Sequence, residues 1–246
     1  MKTKNITQKL NFYELIGVIL GDGSLWYYPS KRVYGLEISG DAKDDHDYFS
    51  KLAELIEEIA KKKPKIRVKI EKLGKSLKLE LYSKKFVEYL INEVGISHKD
   101  KTKSTEIPSK YLDWNFSRHI IRGLFESDGS LYFSKSKKGR YPSYPRVEIK
   151  TSSRKLAEQL VKLLKQKAFK IQTRTSKSDK TIGVYASGSE MLEKWVKEIG
   201  FSSMKKYSKY LVWKKKGYYI PSMSYQERLV LLGESGQAAK ASDSSF

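Results

Sequence analysis

The sequence predicts an α+β protein made of two similar halves that pack about a pseudo-two-fold axis. A nine-residue stretch occurs twice, as LIGVILGDG at 15–23 and as IRGLFESDG at 121–129. Each copy is followed by the same order of segments: two with the two-residue alternation of strands, one helical, two more alternating and one helical. With 246 residues, each half is long enough to bury a core. The chain is therefore interpreted as an internal duplication.

The first half begins with a helix over 11–23 that contains the first copy of the repeated stretch. The segments that follow alternate between strand and helix patterns. They are strands over 24–28 and 33–39, a helix over 44–61, strands over 65–71 and 77–81, and a helix from Ser83 that Gly95 ends.

The second half repeats this order after a polar linker. Its segments are a helix over 117–129, strands over 130–134 and 146–150 joined by a basic loop, a helix around 156–164, strands over 170–176 and 181–186, and a helix from Ser189 to Gly200. We expect a first half over 1–100, a linker over 101–116, a second half over 117–225 and a disordered tail over 226–246.

Small residues recur four positions apart in each copy of the repeated stretch. They are Gly17 and Gly21 in the first copy, and Gly123 and Ser127 in the second. Residues at this spacing share one helix face, so each helix presents a shallow strip that another backbone can approach closely. We expect the two strips to pack against each other.

Both copies end in Asp-Gly. Gly23 and Gly129 are predicted to be the left-handed residues that end each helix. Asp22 and Asp128 then lie on the last turn, where the helix dipole disfavours a carboxylate by up to about 1 kcal/mol. Face-to-face packing would bring the two acids together, an arrangement that divalent cations stabilise.

The composition favours a polyanionic partner. Lys and Arg number 49 against 28 Asp and Glu, a formal charge of +21, while 39% of the residues are hydrophobic. A folded nucleic-acid-binding protein fits these values. There is no cysteine, which excludes disulfides and thiolate metal sites. Without an apolar run of membrane-spanning length or a signal-peptide pattern, we expect a soluble intracellular protein of a prokaryote, an archaeon or an organelle.

The two copies and the pattern between them resemble the LAGLIDADG homing endonucleases, in their single-chain, two-motif form. The resemblance covers residues 10–215. It implies two αββαββα halves whose antiparallel, saddle-shaped sheets straddle double-stranded DNA. It further implies an intron-encoded monomeric enzyme that cuts both strands of a long asymmetric target by Mg²⁺-dependent hydrolysis, leaving short 3′ overhangs.

The resemblance also assigns site residues. Asp22 and Asp128 would bind two or three shared Mg²⁺ ions, together with the main-chain carbonyl groups of Gly21 and Ser127, and Mn²⁺ or Ca²⁺ would substitute in binding. Lys101 and Lys206, six residues after Gly95 and Gly200, match the basic residue near the scissile phosphates. A glutamine that many relatives carry on the second strand is absent, since Gly40 and Thr151 occupy those positions. Glu126 is not expected to be catalytic.

DNA contacts are predicted for the basic and polar side of the strands and for the loops beside them. Arginine and glutamine can bond base edges in the major groove, and lysine clusters bind phosphates. The candidates are Trp26, Tyr28, Arg32, Glu37, Ser39, Lys65, Arg67, Lys69, Lys78, Glu80, Lys135, Lys137, Arg140, Arg146, Glu148, Lys150, Lys170, Gln172, Arg174 and Lys180.

Two other functions use the same scaffold. One is an RNA-splicing maturase, whose partner would be its host intron RNA. The other is a catalytically inactive, sequence-specific DNA-binding protein. Relatives that lose cleavage usually lose the motif acids, and both acids are present here, which favours the enzyme. An intein is disfavoured because the chain lacks a Cys or Ser start and a terminal His-Asn.

Overall fold

The computed structural model describes residues 11–71, 74–99, 104–135 and 140–233. In the first half, a short 3₁₀ turn joins β1 to β2, and the last helix continues as the π-helical segment Tyr89–Val94. The elements are α1 (Phe12–Gly21), β1 (Gly23–Tyr28), β2 (Val33–Asp41), α2 (His46–Ala60), β3 (Lys65–Glu71), β4 (Gly74–Tyr82) and α3 (Lys84–Glu88).

The second half repeats this order and adds two helices at its end. Its elements are α4 (Trp114–Asp128), β5 (Gly129–Lys135), β6 (Pro142–Thr151), α5 (Arg154–Gln166), β7 (Ile171–Thr175), β8 (Ile182–Ser187), α6 (Ser189–Glu198), α7 (Met204–Lys216) and α8 (Tyr225–Leu232). The predicted α+β fold with two αββαββα halves is confirmed. No helix in the described residues is both long and apolar enough to cross a membrane.

Each half contains a four-stranded antiparallel sheet, in the orders β1-β2-β4-β3 and β5-β6-β8-β7. One face of each sheet is apolar and packs under the helices, as Leu36 and Leu79 do in the first half and Val147 and Val184 in the second. Side chains alternate along a strand, so the opposite face carries the polar residues. We call this second face the polar face.

The two halves meet through α1 and α4, whose small residues face each other. A Cβ atom added to Gly17 would overlap the carbonyl oxygen of Ile120 and lie 2.8 Å from the nitrogen of Leu124. A Cβ atom added to Gly123 would overlap the carbonyl oxygen of Glu14 in the same way. The contact is thus reciprocal, and it confirms the predicted packing of the two strips.

The helix stops at Gly23 and Gly129 were predicted wrongly. Neither glycine has a positive φ, and Gly129 is extended at φ −91° and ψ 158°. Glycine is required there for space, because an added Cβ atom would lie 2.6 Å from the Cα atom of Ile19 or Phe125, respectively. By contrast Gly95, predicted to end the helix after Ser83, does adopt the left-handed conformation.

The C-terminal tail was also placed too early. Residues 225–232 form α8, which begins with a capping box between Ser224 and Glu227 and packs against α7. The Ser-x-x-Glu pattern was a readable helix signal that the sequence interpretation missed. The rest of the predicted tail, 234–246, lies outside the described residues. The predicted linker likewise ends early, because α4 starts at Trp114 with Asp113 as its N-cap.

The contact between α1 and α4 predicts a strong effect of a single added methyl group. Gly123→Ala should lower the free energy of unfolding by about 3 kcal/mol or more, because the backbone of Glu14 blocks the new Cβ atom. This loss should appear although alanine favours helix by about 1 kcal/mol over glycine. Denaturant unfolding measures it, with Gln166→Ala on the exposed end of α5 as the control. Equal stability of the two variants would contradict the tight interface.

Candidate functional site

The acids of the two motifs lie at the same end of the helix interface. Asp22 is the C-cap residue of α1, Asp128 is the last residue of α4, and both are exposed. A Cβ atom added to Gly21 would overlap the hydroxyl of Ser127 and lie 3.1 Å from an oxygen of the Asp128 carboxylate. The end of α1 therefore contacts the residues that carry the second acid, as the small-residue strips predicted.

The donor groups suit a hard cation. No group of three or more His, Cys, Asp or Glu side chains in the described residues is arranged to hold a metal ion. The available donors are the carboxylates of Asp22 and Asp128 and nearby main-chain carbonyl groups. Mg²⁺ prefers oxygen ligands and keeps several waters, so it needs few protein ligands. The residues present fit such an ion, and both acids are exposed enough for water or other external oxygen ligands to complete its shell.

Lys206 lies beside this end of the interface. It is in the first turn of α7, and its ammonium group donates hydrogen bonds to the main-chain oxygens of Phe125 and Glu126, the latter at 2.7 Å. Burial lowers the pKa of Lys206 to about 8, against the opposing effects of Glu126, Asp45 and Asp22. Its predicted counterpart, Lys101, lies outside the described residues.

Glu126 holds the start of α7 in return. Its carboxylate accepts hydrogen bonds from the main-chain nitrogens of Ser202 at 2.8 Å and Ser203 at 3.2 Å, and Ser203 is the N-cap of α7. Burial raises the pKa of Glu126. Lys206 of α7 thus donates to the end of α4, and Glu126 of α4 accepts from the start of α7. These contacts in both directions fix the position of Lys206 relative to the second motif.

The surroundings of the two acids differ. A cavity of about 260 Å³ beside Asp22 is lined by Asp45, Lys205, Lys206 and Lys209. We call it the Asp22 cavity. A cavity of about 230 Å³ beside Asp128 is lined instead by Lys150, Thr105, Thr151, Ser153 and Thr181. The duplicated motif therefore carries two acids in unequal environments, with more cations beside the first.

The polar face of the first sheet carries the predicted DNA-contact residues of its four strands. By strand register these are Trp26, Tyr28, Glu37, Ser39, Lys65, Arg67, Lys69, Lys78 and Glu80. Lys78 donates to Glu37 at 3.2 Å and to Ser39 at 2.7 Å, and Arg67 lies 3.8 Å from Glu80. These cross-strand bonds hold polar side chains in place on an otherwise open face.

The polar face of the second sheet is organised around one buried carboxylate. Glu148 is 1% exposed and accepts two hydrogen bonds of 2.8 Å from Arg174, and the hydroxyl of Tyr132 donates to it at 3.2 Å. Arg146 stacks on Tyr185 at 4.7 Å and donates to Tyr132. Lys150 and Gln172 share this face by register. Bonded this way, both guanidinium groups have fixed orientations.

Other predicted contact residues lie at the margins of the sheets. Arg32 and Lys180 adopt left-handed conformations in the turns before β2 and β8. Lys135 is the last residue of β5, and Arg140 lies over the ring of Tyr141. The ammonium of Lys170 is 2.9 Å from the carboxylate of Glu190 on α6.

Lys137 lies outside the described residues. The roles of these residues in binding DNA stay predictions.

An ion pair inside the helix interface was not anticipated from the sequence. Arg122 donates to Glu14 at 2.8 Å and to the carbonyl oxygen of Ile199 at 3.0 Å, and Tyr48 donates to the same carboxylate at 3.2 Å. Glu14 is 0% exposed and Arg122 is 1% exposed. The only signal was a charged residue at an apolar position of each motif helix.

Comparison with protein families identifies the two halves separately. The family described as WhiA LAGLIDADG-like domain matches residues 12–101, and the LAGLIDADG-like domain family matches residues 115–200. Each match spans one motif helix and the sheet that follows it. Both halves of the chain are LAGLIDADG-like domains. Comparison with curated proteins finds no match.

Solved structures of homing endonucleases and a meganuclease share this fold. Variants of the homing endonuclease I-DmoI are 20% identical at a TM-score of 0.53, over 76% of this chain and 93% of theirs. I-WcaI, a homing endonuclease bound to its DNA recognition sequence, is 17% identical at 0.54, over 92% and 89%. The meganuclease I-SmaMI, bound to uncleavable DNA, is 15% identical at 0.57, over 86% and 90%. At these identities the likeness concerns the fold.

The buried carboxylate in this LAGLIDADG interface predicts a pH dependence of stability. Burial raises the pKa of Glu14 to about 7, although Arg122 opposes the shift. A folded-state pKa above the unfolded value means that stability is fully present below the unfolded pKa of about 4.5 and is lost as the pH rises through about 7. Between pH 5 and 8 the protein should lose on the order of 3 kcal/mol relative to Glu14→Gln, which cannot titrate.

Urea unfolding of both proteins across this range measures the difference. A gain of the wild type over Glu14→Gln with rising pH would instead show that the attraction of Arg122 outweighs burial.

Proposed function

We propose that this LAGLIDADG protein is a site-specific endonuclease that cuts both strands of a long, asymmetric double-stranded DNA target. The observation that carries the proposal is the meeting of Asp22 and Asp128 at one end of the α1–α4 interface, between two sheets with polar, cation-bearing faces. A formal charge of +21 supports a DNA partner.

The relatives support the same class of partner and cofactor. I-DmoI has been solved in complex with DNA and Mn, with DNA and Ca, and as a variant with its target DNA in the presence of Mg. I-WcaI and I-SmaMI are likewise described as bound to DNA. We extend DNA binding and divalent-metal use to this chain as part of the proposal.

Target recognition falls to the two polar faces. Arg146 and Arg174 are held in fixed orientations by Glu148 and the tyrosines around it, so less conformational entropy is lost when they bond a base. The polar face of the first sheet instead carries the ion pairs Lys78–Glu37 and Arg67–Glu80. Since the two faces carry different side chains, one chain acting as a monomer would read two different half-sites.

The chemistry uses the end of the helix interface. Asp22 and Asp128, with the carbonyl groups of Gly21 and Ser127, would hold Mg²⁺, which supplies an activated water and stabilises charge on the phosphate oxygens. The ammonium of Lys206, fixed by Phe125 and Glu126, adds a positive charge beside the reacting phosphate. Burial lowers the pKa of His119 to about 4, and we assign no histidine as general base. Cleavage would leave short 3′ overhangs.

A second function keeps the binding surface without the cleavage. The first half matches the WhiA LAGLIDADG-like domain family and the second half a different LAGLIDADG-like family. The alternative is a catalytically inactive, sequence-specific DNA-binding protein on the same scaffold. An RNA-splicing maturase that binds its host intron RNA is the other binding role. The two motif acids favour the nuclease.

Selection from a randomised duplex library tests the function directly. The protein is incubated with the library in Mg²⁺ or in EDTA, and cleaved molecules are captured by their overhangs and sequenced. We expect a long, asymmetric consensus that appears only with Mg²⁺. Specific binding without cleavage in any divalent metal would favour the binding protein.

The acids should separate binding from cleavage. Asp22→Asn or Asp128→Asn should reduce double-strand cleavage of the selected site by at least about 100-fold, because each removes a charged metal ligand. DNA affinity in Ca²⁺ should change much less. Gel-resolved cleavage and equilibrium binding measure the two effects, with Asp113→Asn at the other end of α4 as the control. Full cleavage activity of Asp22→Asn or Asp128→Asn would contradict the assignment of that acid as a metal ligand.

Lys206 should act on the rate more than on affinity. Lys206→Met should slow single-turnover cleavage by about 10- to 100-fold, because it removes a positioned cation from the reaction site. Lys162→Met, which removes an exposed lysine of α5, is the matched control and should cleave normally. An unchanged cleavage rate in Lys206→Met would show that Lys206 only stabilises the end of α4 and does not act on the reaction.

A further inference from the structure

The helix added at the end of the second half places a buried cation against α7. Arg228 of α8 is 3% exposed. Its guanidinium group donates to the hydroxyl of Ser208 at 2.9 Å, to the carbonyl oxygen of Lys205 at 3.1 Å, to that of Met223 at 2.8 Å and to the hydroxyl of Tyr219 at 3.2 Å. These four acceptors are neutral oxygens, so its hydrogen bonds are made without neutralising its charge.

A second cation lies close to the first. Lys209 follows Lys205 by one turn of α7, is half-buried, and lines both the Asp22 cavity and an adjoining cavity of about 330 Å³ that Arg228 also lines. Burial lowers the pKa of Lys209, and the charges of Arg228 and Lys205 lower it further, while the charge of Asp44 opposes the shift. In the described parts of the chain its ammonium group has no hydrogen bond and no ion pair.

Its neighbours on α7 are engaged differently. Lys205 is bound by the carboxylates of Asp45 at 3.1 Å and Asp41 at 3.5 Å, and Lys206 by main-chain oxygens. On this turn of α7, Lys209 is thus the lysine whose ammonium group makes no hydrogen bond or ion pair within the described residues. The 330 Å³ cavity is lined by Arg228, Lys209 and Lys205, with Asp44 as the carboxylate among its lining residues. This excess of cations over carboxylates favours an anionic ligand in the cavity.

We propose that Lys209, backed by Arg228, binds a non-scissile backbone phosphate of the DNA beside the Asp22 cavity. The inference rests on the proposed function, since it takes the ligand to be DNA. A phosphate there would balance the two cations, and Tyr219 and Tyr225 in the cavity wall give the attached sugar an apolar surface. Aligning the segments after Gly95 and Gly200 puts Ser104 opposite Lys209. The first half therefore has no lysine equivalent to Lys209, and we expect the phosphate contact on one DNA strand only.

The salt dependence of DNA binding tests the contact without any cleavage. Affinities are measured in EDTA over about 50 to 300 mM salt for the wild type, Lys209→Gln, Lys209→Arg and Lys162→Gln. Loss of one phosphate contact should weaken binding by about 3- to 10-fold and reduce the slope of log affinity against log salt by about 0.9. Lys209→Gln should show both changes. Lys209→Arg and the control Lys162→Gln should match the wild type.

A second measurement does not depend on the stability of any variant. Single phosphates of the selected target are replaced by uncharged methylphosphonate, position by position, on both strands. We expect one position, on one strand, whose neutralisation weakens the wild type and has no further effect on Lys209→Gln.

The two measurements separate the inference from the function on which it rests. If the wild type binds DNA and Lys209→Gln keeps its salt slope, or if no position distinguishes the two proteins, the phosphate site is wrong. If the wild type fails to bind DNA at all, the proposed function fails with it.

Discussion

The close contact of α1 with α4 is the constraint on which the rest of the structure depends. Backbone touches backbone at Gly17 and Gly123, so the helix ends carrying Asp22 and Asp128 have no freedom to separate. Protein interiors are packed densely enough that one added methyl group there would have no space. The same contact sets the spacing of the two sheets, because each strand β1 and β5 leaves its helix directly after the acid. The placement of the two motif acids and the placement of the two polar faces thus share one origin.

The interface is symmetric in its backbone and asymmetric in its charges. Glu14 and Arg122 form a buried ion pair across it, while the aligned positions of the other copy are Ile120 and Ile16. A buried pair contributes little net stability, because both charges lose their hydration. Breaking it by pairing like halves would leave charges buried and uncompensated, which costs far more. The pair therefore favours the packing of unlike halves over the packing of like halves.

The sequence predicted what local patterns encode. Alternation and helical spacing located the sheets and motif helices, and small residues four apart predicted their contact. What it missed depends on distant partners. Glycine is needed at positions 23 and 129 because Ile19 and Phe125 leave no space for a side chain, and only the folded structure shows this. Glu126 binds a segment 76 residues away, and Arg228 joins α8 to α7. The capping box at Ser224 was the exception, since that signal was local and readable.

Duplication within one chain lets equivalent positions diverge, and the second half has done so around α7. Its first turns bring Lys205, Lys206 and Lys209 to the first motif's acid, although they belong to the second half of the sequence. The acid of the second motif faces Lys150 and hydroxyl side chains instead. A homodimer would have to keep both environments identical. In a single chain each acid can have its own surroundings, which suits the asymmetric target that we propose for this protein.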